Sequence, residues 1–413
     1  MRAASGRSAR PFASAGCGSH LMPHLSILGS RGIPAQHGGF ETLAEHLATS
    51  WRDRGWTVTV YRQVEGKGLL YEDDWNGIRR VNIPVRGRGA GGTIMFDRIA
   101  MQDVRRFSGP ILTLGYNTGP LCFFLRRPGR THFVNMDGHE WGRRKYGMLK
   151  RLYLRFAERA AARYGDHLIA DHPEIAKHLA RYVAPEKITT LTYGADAIES
   201  GDERLLEDFG VLPGRFFTLI ARPEPDNSVL EIVRAFSSKR RDVKLVVLGD
   251  YDAPIRYRAD VRAAASEGVI FPGAIYDKPI LAALRFHSIG YLHGHQVGGT
   301  NPSLVEALGA GNPVIARDNH FNRWVAGDSA LYFSDIESCA AQIDSLIDDG
   351  ALRSRLSHAA RARWDEAFRW DGVLGAYQAL LTSLPAPERT RWWRPWRPVA
   401  HTVKAPSLTP SSA

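Results

Sequence analysis

The run Gly298-Gly299-Thr300-Asn301-Pro302-Ser303-Leu304-Val305-Glu306 sets backbone phosphate donors beside a carboxylate. An apolar segment of strand length, residues 288–293, precedes it, and residues 313–316 form another strand after Gly309 and Gly311. The pattern reads as strand, Gly-rich turn, short helix, Gly stop, strand. Asn301 suits an N-cap, and Pro302 sits where a first helical turn tolerates proline. Glu306 then lies just over one turn into the helix, its side chain leaning back toward the N-terminus. The free N–H groups of that terminus and the positive end of the helix dipole attract phosphate. A carboxylate beside them can accept hydrogen bonds from sugar hydroxyls. The same residues also suit a plain βα unit in which Asn, Pro and Gly serve only as punctuation.

Two further clusters carry chemistry. Asp137-Gly138-His139-Glu140-Trp141-Gly142-Arg143-Arg144-Lys145-Tyr146 crowds ionisable groups of both signs after a predicted strand at 132–136. The carboxyl ends of strands are where open α/β sheets bind ligands. A solvated loop running into a basic helix is the competing reading. Arg222 ends a predicted strand at 216–221, in Ala221-Arg222-Pro223-Glu224-Pro225-Asp226-Asn227. It suits a bidentate diphosphate clamp, or a surface Arg before a turn.

The elements that must position these groups follow from periodicity. Residues 25–29 read as a buried strand, followed by a loop ending in Gly38-Gly39. Phe40, Leu43, Ala44, Leu47, Ala48 and Trp51 then recur at helical spacing, and 57–61 is the next strand. This is a doubly wound βαβ opening without a Gly-x-Gly-x-x-Gly fingerprint. Gly38 and Gly39 permit close backbone approach to a ligand, or packing alone. More strands are expected at 111–114, 167–170 and 188–191. A polar, acidic stretch at 196–208 reads as a linker, and a second α/β series follows with strands at 216–221, 245–248, 269–271, 288–292 and 314–316. An amphipathic segment, 364–381, closes it.

A chain of 413 residues with 44% hydrophobic content holds two ordinary domains. No apolar run approaches the ~18 residues that span a bilayer. Cys17, Cys122 and Cys339 are too few and scattered for a disulfide framework or zinc site. A formal net charge of +11 favours anionic partners without choosing among them. The expected division is a disordered extension at 1–22, a first domain at 23–200, a second at 209–360, a C-terminal helix at 361–383 and a basic Trp/Pro-rich disordered tail at 384–413. In that tail Trp392, Trp393 and Trp396 alternate with Arg391, Arg394 and Arg397, a composition suited to a membrane interface.

Together these pieces resemble glycosyltransferase family four, most closely the bacterial rhamnosyltransferases of capsule, O-antigen and exopolysaccharide assembly. The stretches that carry the resemblance are Gly32-Ile33-Pro34-Ala35-Gln36-His37-Gly38-Gly39-Phe40-Glu41-Thr42, Asn135-Met136-Asp137-Gly138-His139-Glu140-Trp141, Arg222-Pro223-Glu224-Pro225-Asp226-Asn227 and the Gly298 to Glu306 run. The resemblance implies an α/β chain of the GT-B fold: two Rossmann-like doubly wound domains facing a central cleft, acceptor in the first and sugar nucleotide in the second, with residues 361–383 packing back toward the first. It implies that Glu306 binds the nucleotide ribose, that Arg222 grips the diphosphate, and that Gly38 and Gly39 approach the diphosphate. Gly298 stands where the family usually has a Glu for donor-sugar hydroxyls, so the backbone around Gly299 and Thr300 is expected to take over that contact, with Asn301 also on the donor side. Asn227 stands where many members carry a diphosphate Lys. Asp137 falls beside the reacting sugar, and Asp137 or Glu140 polarises the acceptor. His139 replaces a residue that is usually apolar.

The implied activity is metal-independent, retaining transfer of a hexose or 6-deoxyhexose, L-rhamnose from dTDP-rhamnose, to a lipid-diphosphate-linked saccharide. No cofactor beyond the nucleotide-sugar donor is expected. Arg143, Arg144 and Lys145 are expected to face the acceptor or the anionic inner surface of the cytoplasmic membrane, on which the protein would lie without crossing it. The alternative is a non-catalytic sugar-nucleotide-binding or scaffold protein on a degenerate GT-B fold, for which Gly298 and Asn227 argue. A nucleic-acid binder ranks last, because no recognised signature accompanies the basic charge.

Overall fold

The computed structural model of the chain describes residues 23–384, apart from 36–37, 88, 127–128 and 253–254. The expected extension at 1–22 and the Trp/Arg cluster of the tail lie outside the described residues.

The first domain runs β1 (His24–Leu28), α1 (Gly39–Asp53), β2 (Thr57–Glu65), β3 (Tyr71–Trp75), β4 (Ile78–Val85), α2 (Ala90–Asp103), β5 (Ile111–Leu114), β6 (His132–Asn135), α3 (Met148–Tyr164), β7 (His167–Ala170), α4 (Pro173–Leu179) and β8 (Ile188–Thr190). Its sheet has the order β3-β4-β2-β1-β5-β6-β7-β8, parallel except where β3 runs against β4. Helices cover both faces, so the inner strands read as apolar runs rather than alternations. The β3–β4 hairpin was absent from the expected strands. Its turn is Asn76-Gly77, both at positive φ (52° and 79°), between the paired Trp75 and Ile78. An Asn-Gly pair between strand-like runs is a strong hairpin signal.

The second domain runs β9 (Phe216–Ile220), α5 (Val229–Ser237), β10 (Lys244–Leu248), α6 (Arg256–Ala263), β11 (Val269–Gly273), α7 (Lys278–His287), β12 (Gly290–His293), α8 (Pro302–Gly309), β13 (Val314–Arg317), α9 (His320–Ala326), β14 (Ala330–Phe333), α10 (Ile336–Asp348) and α11 (Gly350–Ala367). Its strands are all parallel, in the order β11-β10-β9-β12-β13-β14. The chain then returns. The segment expected as one amphipathic element at 364–381 is broken at Phe368-Arg369, where Arg369 bridges Ala195 in the outgoing connection. The final helix, α12 (Trp370–Ser383), buries Trp370, Val373, Tyr377 and Leu381 in the first domain's core beside Leu43, Leu47 and Trp51.

Both sheets are doubly wound. Strand order reverses between β1 and β5 in one and between β9 and β12 in the other, and such switch points open crevices at the carboxyl ends of the strands. The loops that leave those ends meet across the domain boundary.

Candidate active site

The second domain's half of the site is built on α8. Asn301 caps it, its Oδ1 accepting the Ser303 N–H at 3.0 Å, and Pro302 occupies the first position. The Tyr291 hydroxyl bonds to the Ser303 hydroxyl at 2.5 Å, and both reach the Ile220 carbonyl, at 3.2 and 3.3 Å. These bonds clamp the first turn of α8 to the end of β9, two residues before Arg222. Glu306 is the fifth residue of α8. Its Oε2 is ion-paired with Arg285 of α7, whose side chain is 4% exposed while that of Glu306 is 40% exposed. The buried guanidinium fixes one carboxylate oxygen and leaves Oε1 without a protein partner among the described residues.

Arg222 is exposed, and among the described residues its guanidinium has no ion-pair partner. Its carbonyl accepts the Asn227 side-chain amide at 2.9 Å, so the buried Asn227 shapes this loop. The Gly38–Gly39 turn of the first domain reaches the same place. A Cβ on Gly39 would lie 2.7 Å from Cγ of Pro302, whereas at Gly38 the space is open. Gly38 is the N-cap of α1 and its carbonyl accepts the Glu41 and Thr42 N–H groups. Two helix N-termini, one from each domain, thus lie together with an unpaired Arg at the end of the neighbouring strand.

The turn after β6 forms the adjoining wall. Asp137 adopts a left-handed φ of 50°, one of three non-glycine residues to do so among the described residues. Its N–H donates to Asn135 Oδ1 at 3.0 Å, and its own Oδ1 accepts the Gly138 N–H at 2.8 Å. Asn135 is held in turn by the Tyr377 hydroxyl of α12, at 3.1 Å. A Cβ on Gly138 would touch Gly298 and Gly299 at 3.0 and 3.1 Å, so this turn rests on the Gly298 loop. The Asp137 side chain keeps an opening to the cleft but is surrounded by protein. Burial raises its pKa, the Glu140 charge adds to the rise, and Arg143 and Arg222 oppose it.

Glu140 is tied down: one oxygen accepts from Arg143 Nε at 2.5 Å and the other from the Tyr146 hydroxyl at 3.4 Å. Of the three basic residues expected at the acceptor or membrane, Arg143 is turned inward onto Glu140. Lys145 crosses the domain boundary to Glu224 at 2.9 Å. Arg144 is exposed, and its backbone N–H donates to the Asp226 carboxylate at 2.9 and 3.1 Å. His139 packs behind the site against Trp141 and His178, its pKa lowered to about 4 by burial.

Several residues at the site escaped the sequence reading. Asp171, in the loop after β7, is 3% exposed; its Oδ2 accepts the Thr300 N–H at 3.1 Å, and its carbonyl accepts the Thr300 hydroxyl. Among the described residues its Oδ1 has no hydrogen-bond partner, and a Cβ on Gly299 would lie 2.0 Å from it. Burial first, and the Asp137 charge second, push its pKa up to about 8. The rule that singled out Asp137, an acid at the carboxyl end of a parallel strand, also fits Asp171. His293 and His295, just before the Gly298 loop, stack at 4.5 Å; burial lowers the pKa of both and keeps them neutral. Asn319 and Asn322 each donate to the His295 carbonyl at 3.0 Å and anchor that loop.

Among the described residues, no three His, Cys, Asp or Glu side chains group to hold a metal ion, and no helix is long and apolar enough to cross a membrane.

Residues 212–363 match the family described as Glycosyl transferases group 1, and residues 22–196 match a domain of unknown function, DUF1972. No curated protein matches the chain in sequence. Solved structures match over almost its whole described length. A sucrose-phosphate synthase from Thermosynechococcus elongatus aligns with a TM-score of 0.74 at 17% identity, over 88% of this chain and 100% of that one. HepE from Anabaena, in complex with UDP and glucose, gives 0.66 at 17% identity over 88% and 100%. A UDP-forming α,α-trehalose-phosphate synthase from Burkholderia xenovorans, in complex with glucose-6-phosphate, gives 0.68 at 13% identity over 87% and 99%. The fold is GT-B, and the second domain matches the group 1 glycosyl transferase family.

Proposed function

We propose that this chain is a glycosyltransferase that moves a hexose or 6-deoxyhexose from a nucleoside diphosphate sugar to a lipid-linked saccharide. The observation that carries this is the convergence of Arg222, the capped N-terminus of α8 and the Gly38–Gly39 turn on one point, with the Glu306 carboxylate one turn deeper.

In this reading the diphosphate lies across the two helix N-termini with Arg222 on its flank. The ribose hydroxyls donate to Glu306, which Arg285 holds in place. As the bond to the sugar breaks, charge grows on the leaving diphosphate, and fixed donors already aimed there stabilise it. Asp137 faces the sugar from the opposite wall. Its raised pKa and its opening to the cleft suit it to accept a hydrogen bond from the transferring sugar or the acceptor. Glu140, with both oxygens engaged, positions the loop rather than moving protons.

The donor is 6-deoxyhexose-like by resemblance, with L-rhamnose from dTDP-rhamnose the first choice. The relatives whose structures hold UDP, or UDP and glucose, keep uridine donors in the test set. Purified protein is offered dTDP-, UDP- and GDP-sugars, with and without a lipid-diphosphate-linked saccharide, and nucleoside diphosphate release is followed. Release with one donor that depends on the acceptor is the expected result. Tight nucleotide binding with no release from any pair would favour the non-catalytic alternative.

A further inference from the structure

An apolar surface stands in the open beside the cleft. In the first turns of α3, Met148, Leu149, Leu152 and Phe156 project outward, with Met148 75% exposed, Leu149 81% and Phe156 60%. Phe123 and Phe124, in the 3-10 turn Gly119–Leu125, add two more exposed rings. That turn is seated directly on α3: a Cβ on Gly119 would fall 2.0 Å from the Ala157 carbonyl and 2.9 Å from the Ala161 N. Large apolar side chains clustered in this way mark an interaction site on a soluble surface.

The charge around the patch is of one sign. Along the exposed side of α3, Arg155, Arg159 and Arg163 follow the apolar residues, and all three are exposed. Arg155 lies over the Trp141 ring at 4.6 Å. Glu158 is the one acid of the helix, and it faces inward, where it accepts from Trp141 Nε1 and is joined to His178, both at 2.8 Å. A helix with an apolar exposed face, an arginine border and no exposed acid fits the interface of an anionic bilayer.

A second copy of the chain fits less well. A two-fold contact lays a patch against itself, which would bring six arginines of α3 together in an apolar interface, with no acid on that face to meet them.

We infer that the exposed face of α3 and the adjoining Phe123–Phe124 turn is the membrane-docking surface of this protein, and that its partner is an anionic lipid bilayer. The inference gives the acceptor side of the proposed reaction a location. Lys145, ion-paired to Glu224 across the cleft, is four residues before Leu149. At no more than ~3.6 Å per residue, the docking face begins within about 15 Å of the cleft rim. An acceptor whose lipid stays in the bilayer can then present its saccharide between the domains. The surface replaces Arg143 and Lys145 as the expected membrane contact, since Arg143 is paired with Glu140 and Lys145 with Glu224.

The test uses the full chain and vesicles of phosphatidylglycerol with phosphatidylethanolamine, against vesicles of phosphatidylcholine alone. Wild type, a Leu149→Glu/Phe156→Glu variant and an Arg155→Glu/Arg159→Glu variant are compared by co-sedimentation over a range of salt. These four side chains are exposed, and matching thermal melts with and without UDP or dTDP check that the variants stay folded with the donor site unaltered. Wild type is expected on the anionic vesicles only. The apolar variant should lose binding by at least about tenfold at every salt concentration, which corresponds to ~1.4 kcal/mol. The arginine variant should lose it most at low salt. Wild-type levels of binding by the apolar variant would overturn the proposal and point to the chain beyond residue 384. So would a wild-type dimer that the apolar variant dissociates, which would assign the face to a second copy. Vesicle binding without any sugar transfer would leave the surface standing and sink the proposed reaction instead.

Discussion

Asp171 of the first domain accepts the backbone N–H of Thr300 of the second at 3.1 Å, inside a boundary where neither residue meets solvent. The bond fastens the floor of one domain to the loop that opens α8 in the other, and Asp137 lies close enough for its charge to be felt by Asp171.

The Asp171 carboxyl carries a stability signature. Its folded pKa, about 8, lies above the ordinary aspartate value of 3.8. The folded state therefore binds this proton more tightly than the unfolded chain does. The stability it contributes is fully present below about pH 4 and is lost as pH rises through about 8. An Asp171→Asn variant, which mimics the protonated group, should lose this slope. Melting temperatures of both proteins from pH 5 to 9 give the check: wild type should fall relative to the variant as pH rises, and parallel curves would refute the assignment.

Glu306→Ala should abolish transfer and also lower stability, because it strands the buried Arg285. An uncompensated buried charge costs about 3–5 kcal/mol; the partial exposure of Glu306 reduces that to roughly 1–3 kcal/mol here. Glu306→Gln keeps an acceptor toward Arg285 and should recover much of the stability while transfer stays impaired. Denaturant melts alongside initial rates separate the two roles. Full activity in the Ala variant would remove Glu306 from the site.

Arg222 is exposed and forms no ion pair among the described residues, so its loss should cost binding more than folding. A charged hydrogen bond contributes about 1.5–3 kcal/mol, so Arg222→Ala should raise the nucleoside diphosphate Kd by roughly 10- to 100-fold and leave the nucleoside Kd nearly unchanged. Titration calorimetry with both ligands decides it. Equal losses would mean that Arg222 does not read phosphate.

Turnover should survive chelation. The groups assigned to the leaving diphosphate are a guanidinium and backbone N–H donors, all supplied by the chain. Assays run in EDTA, then with Mg²⁺ or Mn²⁺ restored, should give one rate. A rate that depends on the added metal contradicts this assignment.

Most of the architecture was legible because parallel strands buried on both faces spell themselves out as short apolar runs. Residues 111–114 and 167–170 needed no adjustment. The edge elements were not legible in that way. Strand β3, Tyr-Glu-Asp-Asp-Trp, is half solvated and acidic, so its composition hides it, and only the Asn76-Gly77 turn announces the hairpin. In the site, Arg222, Glu306, Asn301 and Gly39 could be picked out because each sits at a fixed offset from a strand or helix end. What one-dimensional spacing withheld was pairing. That Arg285 would hold Glu306, that Lys145 would reach Glu224, and that Asp171 would find Thr300 depend on contacts 21, 79 and 129 positions apart.

The return of α12 sets an order of events during synthesis. Trp370, Val373, Tyr377 and Leu381 form one wall of the first domain's core, yet they leave the ribosome after the whole second domain. At about 5–20 residues per second, roughly 10–35 s separate the end of the first sheet from the arrival of that wall. During that interval Leu43, Leu47 and Trp51 pack only against the first domain's own strands and lack the α12 side of their core, and Asn135 lacks the Tyr377 hydroxyl that steadies the strand leading to Asp137. The nascent first domain thus exposes apolar surface until then, and its half of the cleft takes final shape only when α12 has closed over it.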